Sequence, residues 1–170
     1  LDDGQPFWIL AAAQLGATGG RQLAPLDFVK KLGKGGFGWT FELRRRHTDE
    51  SSRIALKDDE SSHIALKDQL PPSLTELIKL EDEARVQRKL NSQFIVRCDD
   101  SFRVGLHFCM LVECCPGGEL GNWLKRSVEA GGTPDLWRVL AECVEGLVHM
   151  HSVFIVHRDL KPEVRRICSA

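Results

Sequence analysis

A chain of 170 residues and 19.1 kDa, 42% hydrophobic and 28% charged, has the balance of an ordinary globular domain and length for little more than one. Lys and Arg total 23 against 24 Asp and Glu, and the net charge of −1 excludes a polycationic surface for nucleic acid or anionic lipid. The longest apolar run, around Phe7 to Ala13, falls well short of the ~20 residues a bilayer span needs. It also follows Asp2 and Asp3 rather than a basic stretch, so it does not read as a signal peptide.

Residues 1–25 are rich in Ala, Gly and Gln and close on Pro25, which reads as a loosely ordered flank. From Leu26 the pattern changes. Phe28, Val29 and Leu32 lead to a glycine cluster, after which Trp39, Phe41 and Leu43 alternate with Thr40 and Glu42. That period of two predicts strand, glycine turn, strand. A tandem repeat follows: Asp49 to Asp58 and Asp59 to Asp68 differ only at Arg53 and His63, and each copy holds one strand candidate, Ile-Ala-Leu-Lys. Two copies of ten residues do not make a solenoid.

Pro71-Pro72 and Ser73 predict a helix start, with Ser73 as N-cap and Glu76 three residues on. Leu74, Leu77, Ile78, Leu80, Ala84, Val86 and Leu90 form its apolar stripe. Phe94 to Phe102 and Leu106 to Cys115 read as two strands joined around Gly105. After Pro116-Gly117-Gly118 a short helix runs through Leu120, Trp123 and Leu124. Thr133-Pro134-Asp135 predicts another helix, with Thr133 as N-cap and Leu136, Leu140, Cys143, Val144, Leu147 and His151 on one face. The order is α+β: a five-stranded antiparallel unit with one main helix, then helices. The expected divisions are a flank at 1–25, a first lobe at 26–115 containing the repeat at 49–68, and a partial second lobe at 116–170.

The six cysteines form no Cys-x-x-Cys pair and read as small buried thiols in a reducing, intracellular and cytoplasmic setting. His149 and His151 point to different faces of a helix, so they do not make a metal site. No metal ligand is assigned.

Gly33-Lys34-Gly35-Gly36-Phe37-Gly38 is a G-x-G-x-x-G, a pattern whose missing Cβ atoms let backbone N–H groups approach phosphate oxygens. In a dinucleotide fold these glycines would open a helix. Here a strand follows, and a glycine hairpin lying over nucleotide phosphates is the surviving reading. His157-Arg158-Asp159-Leu160-Lys161-Pro162 stands near the end of the chain. With the glycine hairpin and the Ala-Leu-Lys strand, the chain from about Leu26 to Glu163 resembles the eukaryotic protein kinases of the serine/threonine type.

The resemblance implies ATP as cofactor and transfer of its γ-phosphate to protein hydroxyls, with no nucleic-acid or membrane partner. It places Leu32 and Gly33 to Gly38 over the phosphates, and Thr40 and Ala65 beside adenine. The strand lysine that meets the phosphates is Lys67, with Lys57 of the first repeat copy as the alternative. Its helix partner is Glu83, chosen for its register to Asn91 and a strand at Phe94-Ile95-Val96. Val112 takes the gatekeeper position, Glu113 to Cys115 the hinge, and Glu119 the ribose. Asp159 corresponds to the catalytic carboxylate and Lys161 to the γ-phosphate cation. The pattern breaks at Val164, where the family has the Asn that holds one Mg²⁺, and no Asp-Phe-Gly follows. An isopropyl group offers no oxygen to a hard cation. The expectation is therefore a kinase-domain fragment with little catalysis of its own, or else a truncated pseudokinase acting as a nucleotide- or partner-binding module.

Overall fold

A computed structural model describes residues 26–45, 63–161 and the backbone of 166–167. The N-terminal flank, the first repeat copy with Lys57, and Pro162 to Val164 lie outside the described residues. The chain divides into two compact units: Leu1–Arg88 with Cys98–Cys114, and Lys89–Arg97 with Cys115–Ala170.

The first unit is a five-stranded antiparallel sheet with one helix. Its strands are β1 (Leu26–Lys34), β2 (Gly38–Arg45), β3 (His63–Gln69), β4 (Cys98–Val104) and β5 (His107–Glu113), in the spatial order β1-β2-β3-β5-β4. The second repeat copy thus supplies the central strand. Alternation sends Phe41, Leu43, Ile64, Leu66, Cys109, Leu111, Phe102 and Val104 to one face, where they form the core with Leu26. Phe28 closes one end of it, edge-on to Phe41 with ring centroids 6.2 Å apart. Ala65, Met110 and Val112 are buried on the opposite face.

Helix α1 (Leu74–Gln87) begins as its sequence predicts: the Ser73 hydroxyl accepts from the Glu76 N–H at 3.2 Å. Leu77, Leu80 and Ala84 are buried, and the helix lies against β4 and β5. The predicted stripe is wider than the buried one, since Leu74 and Ile78 stay exposed.

Glycine has a specific packing role at Gly38. It pairs with Gln69 across β2–β3, and a Cβ there would lie 1.9 Å from the Asp68 carbonyl oxygen. At Gly33 and Gly36 an added Cβ meets nothing within 4 Å.

In the second unit, β4's expected beginning is corrected. Phe94 to Arg97 are not strand, and the chain turns at Gln93 to Ile95: the Ser92 hydroxyl accepts from the Phe94 N–H, and the Ile95 N–H donates to the Ser92 carbonyl. The apolar character of Phe94 and Ile95 serves a helix instead. Both lie against Gly146, where a Cβ would meet the Phe94 carbonyl at 3.2 Å. Helix α2 (Leu120–Glu129) follows the short strand β6 (Gly118–Glu119), which pairs with β7 (Arg166–Ile167). Helix α3 (Leu136–Ser152) starts later than predicted. Its N-cap is Asp135, whose carboxylate accepts from the Arg138 N–H at 3.0 Å, and not Thr133. Leu136, Trp137, Leu140, Val144 and Val148 on this helix are exposed, and among its described residues only Gly146 is buried. No helix among the described residues is long and apolar enough to cross a membrane.

Replacing Gly38 with Ala is expected to cost roughly 2–4 kcal/mol, because backbone rather than a movable side chain blocks the new methyl. Gly36→Ala should cost less than about 1 kcal/mol. Urea unfolding of both variants distinguishes this from a general intolerance of the turn, which would make the two costs equal.

Candidate active site

The glycine turn in the first unit joins β1 to β2. Gly33 pairs with Thr40 and Lys34 with Trp39, and the Gly35 N–H donates to the Gly38 carbonyl at 2.8 Å. Phe37 at the tip is exposed. Leu32 sits on β1, also exposed. Lys31 Nζ lies 3.6 Å from the Trp39 ring centroid and Lys34 Nζ 5.3 Å from it, so the base of the turn carries a cation–π pair.

Lys67 lies opposite Thr40 in β2 and Met110 in β5. Its Nζ bonds Glu83 Oε1 of α1 at 3.0 Å. Both groups remain partly exposed, 33% and 48% at the side chain, so the pair contributes about 0–1 kcal/mol of stability. Its effect is to fix the ammonium. Ala65, two residues earlier and on the same face, pairs with Val112 of β5, and β5 ends at Glu113. Cys114 is buried.

The second unit holds the remaining candidates. Cys115 accepts from the Gly118 N–H at 3.1 Å through its carbonyl, and Glu119 stands at the N-cap of α2, its carboxylate 3.5 Å from Asn122 Nδ2. Beyond α3 the chain turns twice through left-handed backbone, at Phe154 (φ 61°) and Arg158 (φ 64°). Neither is glycine, and such a conformation costs a residue with a side chain about 1–2 kcal/mol. The second turn sets Asp159: its N–H donates to His157 Nδ1 at 3.3 Å, and its carboxylate meets Lys161 Nζ at 2.8 Å. His149 Nε2 is enclosed and makes no hydrogen bond, and the described residues contain no group of three or more His, Cys, Asp or Glu side chains arranged for a metal.

The model of the protein kinase domain matches residues 26–164. The chain belongs to the protein kinase family. It is 34% identical over 143 residues to the cGMP-dependent protein kinase, isozyme 2 forms cD5/T2, of Drosophila melanogaster, covering 83% of this chain and 14% of that protein. The serine/threonine-protein kinase WAG2 of Arabidopsis thaliana is 29% identical over 167 residues, 93% of this chain and 32% of its own. The Rho-associated protein kinase let-502 of Caenorhabditis briggsae is 32% identical over 162 residues, 91% and 12%. By family this is a domain of the serine/threonine kinase type, and it spans less than a third of each of these relatives.

Two buried carboxylates near Lys67 escaped the sequence reading. Asp68 sits on the core face beside Leu66, and its Oδ1 is 2.7 Å from His107 Nδ1. Glu42 on the other face bonds His63 Nδ1 at 2.5 Å and Lys30 Nζ at 3.3 Å. The parity of Ile64, Leu66 and Asp68 carries the signal for the first of them. Burial pushes the Asp68 carboxyl above its ordinary 3.8, while the hydrogen bond and charge of His107 pull the other way.

The folded chain therefore holds the Asp68 proton more tightly than the unfolded chain does. Its contribution to stability is present at low pH and is lost as pH rises above 3.8 through the raised folded-state value. Urea unfolding at a series of pH values should show the wild type losing stability relative to Asp68→Asn across that range and running parallel to it above. A difference that stays constant, or grows in the wild type's favour, contradicts the assignment.

Proposed function

We propose that the first unit binds ATP, that the parent enzyme transfers the γ-phosphate to serine or threonine hydroxyls of proteins, and that these 170 residues alone retain binding with little transfer. The observation that carries the reading is the Lys67–Glu83 pair at 3.0 Å, on the strand next to the glycine turn. An ammonium held by a carboxylate is a fixed positive charge for phosphate oxygens. The openness of Gly33 and Gly36 supports it too. Nothing in this chain's own packing demands glycine there, whereas backbone approach to phosphate does.

In this reading Leu32, Lys34 and Thr40 join the glycines around the nucleotide, with Ala65 against the base and Glu113, at the end of β5, on its polar edge. ATP supplies the phosphoryl group. Asp159 orients the acceptor hydroxyl and takes its proton, and Lys161, already beside that carboxylate, offsets the charge on the transferred group. The donor set does not fit Mg²⁺: Val164 stands where an amide oxygen is needed, and the described residues hold no group of three or more His, Cys, Asp or Glu side chains arranged for a metal. The same deficit favours the second reading, a non-catalytic binding module. Five free cysteines among the described residues accord with a reducing intracellular location.

Thermal denaturation with and without ATP tests both parts. ATP should raise the midpoint of the wild-type chain, and Lys67→Met should reduce that shift severalfold while changing ligand-free stability by no more than about 1 kcal/mol. Absence of any shift in a folded sample overturns the nucleotide reading. Phosphorylation of a generic basic protein substrate by the purified chain overturns the expectation of little transfer.

A further inference from the structure

We propose that the outward face of α3 pairs with the same face of a second copy of this chain, in an antiparallel contact whose two-fold axis passes at Val144. The helix is held from behind, where the buried Gly146 lies against Phe94 and Ile95. Two residues of helix turn through about 200°, so Val144 stands on the opposite side. There Leu136, Leu140, Val144 and Val148 form a row at four-residue spacing with Trp137 beside it, and all five are exposed. A surface helix ordinarily turns its charged side outward and its apolar stripe inward. In α3 no charged side chain interrupts the outward row, and Arg138 and Glu142 bond each other at 3.0 Å along its flank.

The extent of this face matches what two chains need. Its five side chains leave roughly 550 Å² in water, and Phe154, 97% exposed just beyond the helix, brings the total to about 750 Å². A stable interface takes about 800 Å² from each partner, whereas the largest apolar patch of a monomer is ordinarily about 300–600 Å². The net charge of −1 sets almost no repulsion between copies. The contact lies within the second unit alone.

The layout of the row makes it its own complement. Side chains four apart form the ridges that interdigitate in the commonest class of helix packing. Val144 is the midpoint of Leu136–Ser152, so an axis there lays each helix along the full length of the other. The small side chains of Ala141, Val144 and Val148 fall near that midpoint, where the two backbones come closest, and the bulky Leu136 and Trp137 fall at one end. A parallel pair would set Trp137 against itself. The antiparallel pair sets it opposite the exposed His151 of the other copy and also opposes the two helix dipoles. Trp137 stands in water only in the single chain.

Sedimentation velocity of the intact 170-residue chain under reducing conditions tests this. The mass should rise from 19.1 kDa toward twice that value, with half the chains paired at micromolar concentration. Val144→Glu and Val144→Lys each set a charge against its own copy on the axis, and each should raise the dissociation constant at least roughly tenfold. Mixed in equal amounts, the two variants should pair at least roughly tenfold more tightly than either does alone, because the axis then holds one carboxylate and one ammonium. Recovery on mixing also shows that neither variant has misfolded. A monomer throughout the micromolar range, a spread of larger aggregates, a dimer indifferent to either charge, or variants that stay apart on mixing each overturns the proposal. The readout uses no nucleotide, so its failure leaves the kinase reading standing.

Discussion

The two-sided hydrogen bonding of β3 is the constraint on which the first unit depends. One edge approaches β2 so closely at Gly38 that no side chain fits there, and the other runs along β5 from Ile64 to Gln69. With both edges closed the strand cannot shift, and its alternating side chains are committed: Ile64, Leu66 and Asp68 to the core, Ala65 and Lys67 to the face that α1 shares. The Lys67–Glu83 pair follows from that commitment and needs no strength of its own. A weak ion pair between rigid elements is still a well-placed charge.

The same rigidity explains how two carboxylates can be buried close together on the neighbouring strands β2 and β3. Glu42 and Asp68 lie on opposite faces of the sheet, and each meets a histidine Nδ1 presented by a neighbouring strand. A buried carboxylate without a partner costs far more than a paired one, so His107 is tied to Asp68 on the core face, whereas Glu42 shares its charge between His63 and Lys30. The thiol of Cys109, close to Asp68, is held protonated by burial and by that neighbouring charge, and its reactivity is suppressed.

Much of this was legible in the residues, and the misses have physical causes. Strand, glycine turn, strand could be read from the alternation around Phe41, and the Ser73 cap from its spacing to Glu76, because both signals are local. Phe94 and Ile95 have strand-like composition, yet their burial comes from Gly146, some fifty residues further along, and no local pattern encodes that approach. Thr133 and Asp135 are both competent caps, and only the turn geometry selects the second. Among the site residues, the meeting of Lys67 with Glu83 was expected from family register. The His63 and His107 partnerships were not, since a single polar residue in an apolar strand carries no indication of what lies across the sheet.

The tryptophans give this chain an uneven optical signature. It has four Trp and no Tyr, so its near-ultraviolet absorption belongs almost wholly to indole. Trp137 is 82% exposed on α3 and emits from water even in the folded state, so denaturation changes it little. Trp39 is half-buried at the base of the glycine turn with the Lys31 ammonium 3.6 Å from its ring centroid. Its fluorescence is accordingly sensitive to any displacement of that turn, a built-in reporter beside the proposed phosphate site.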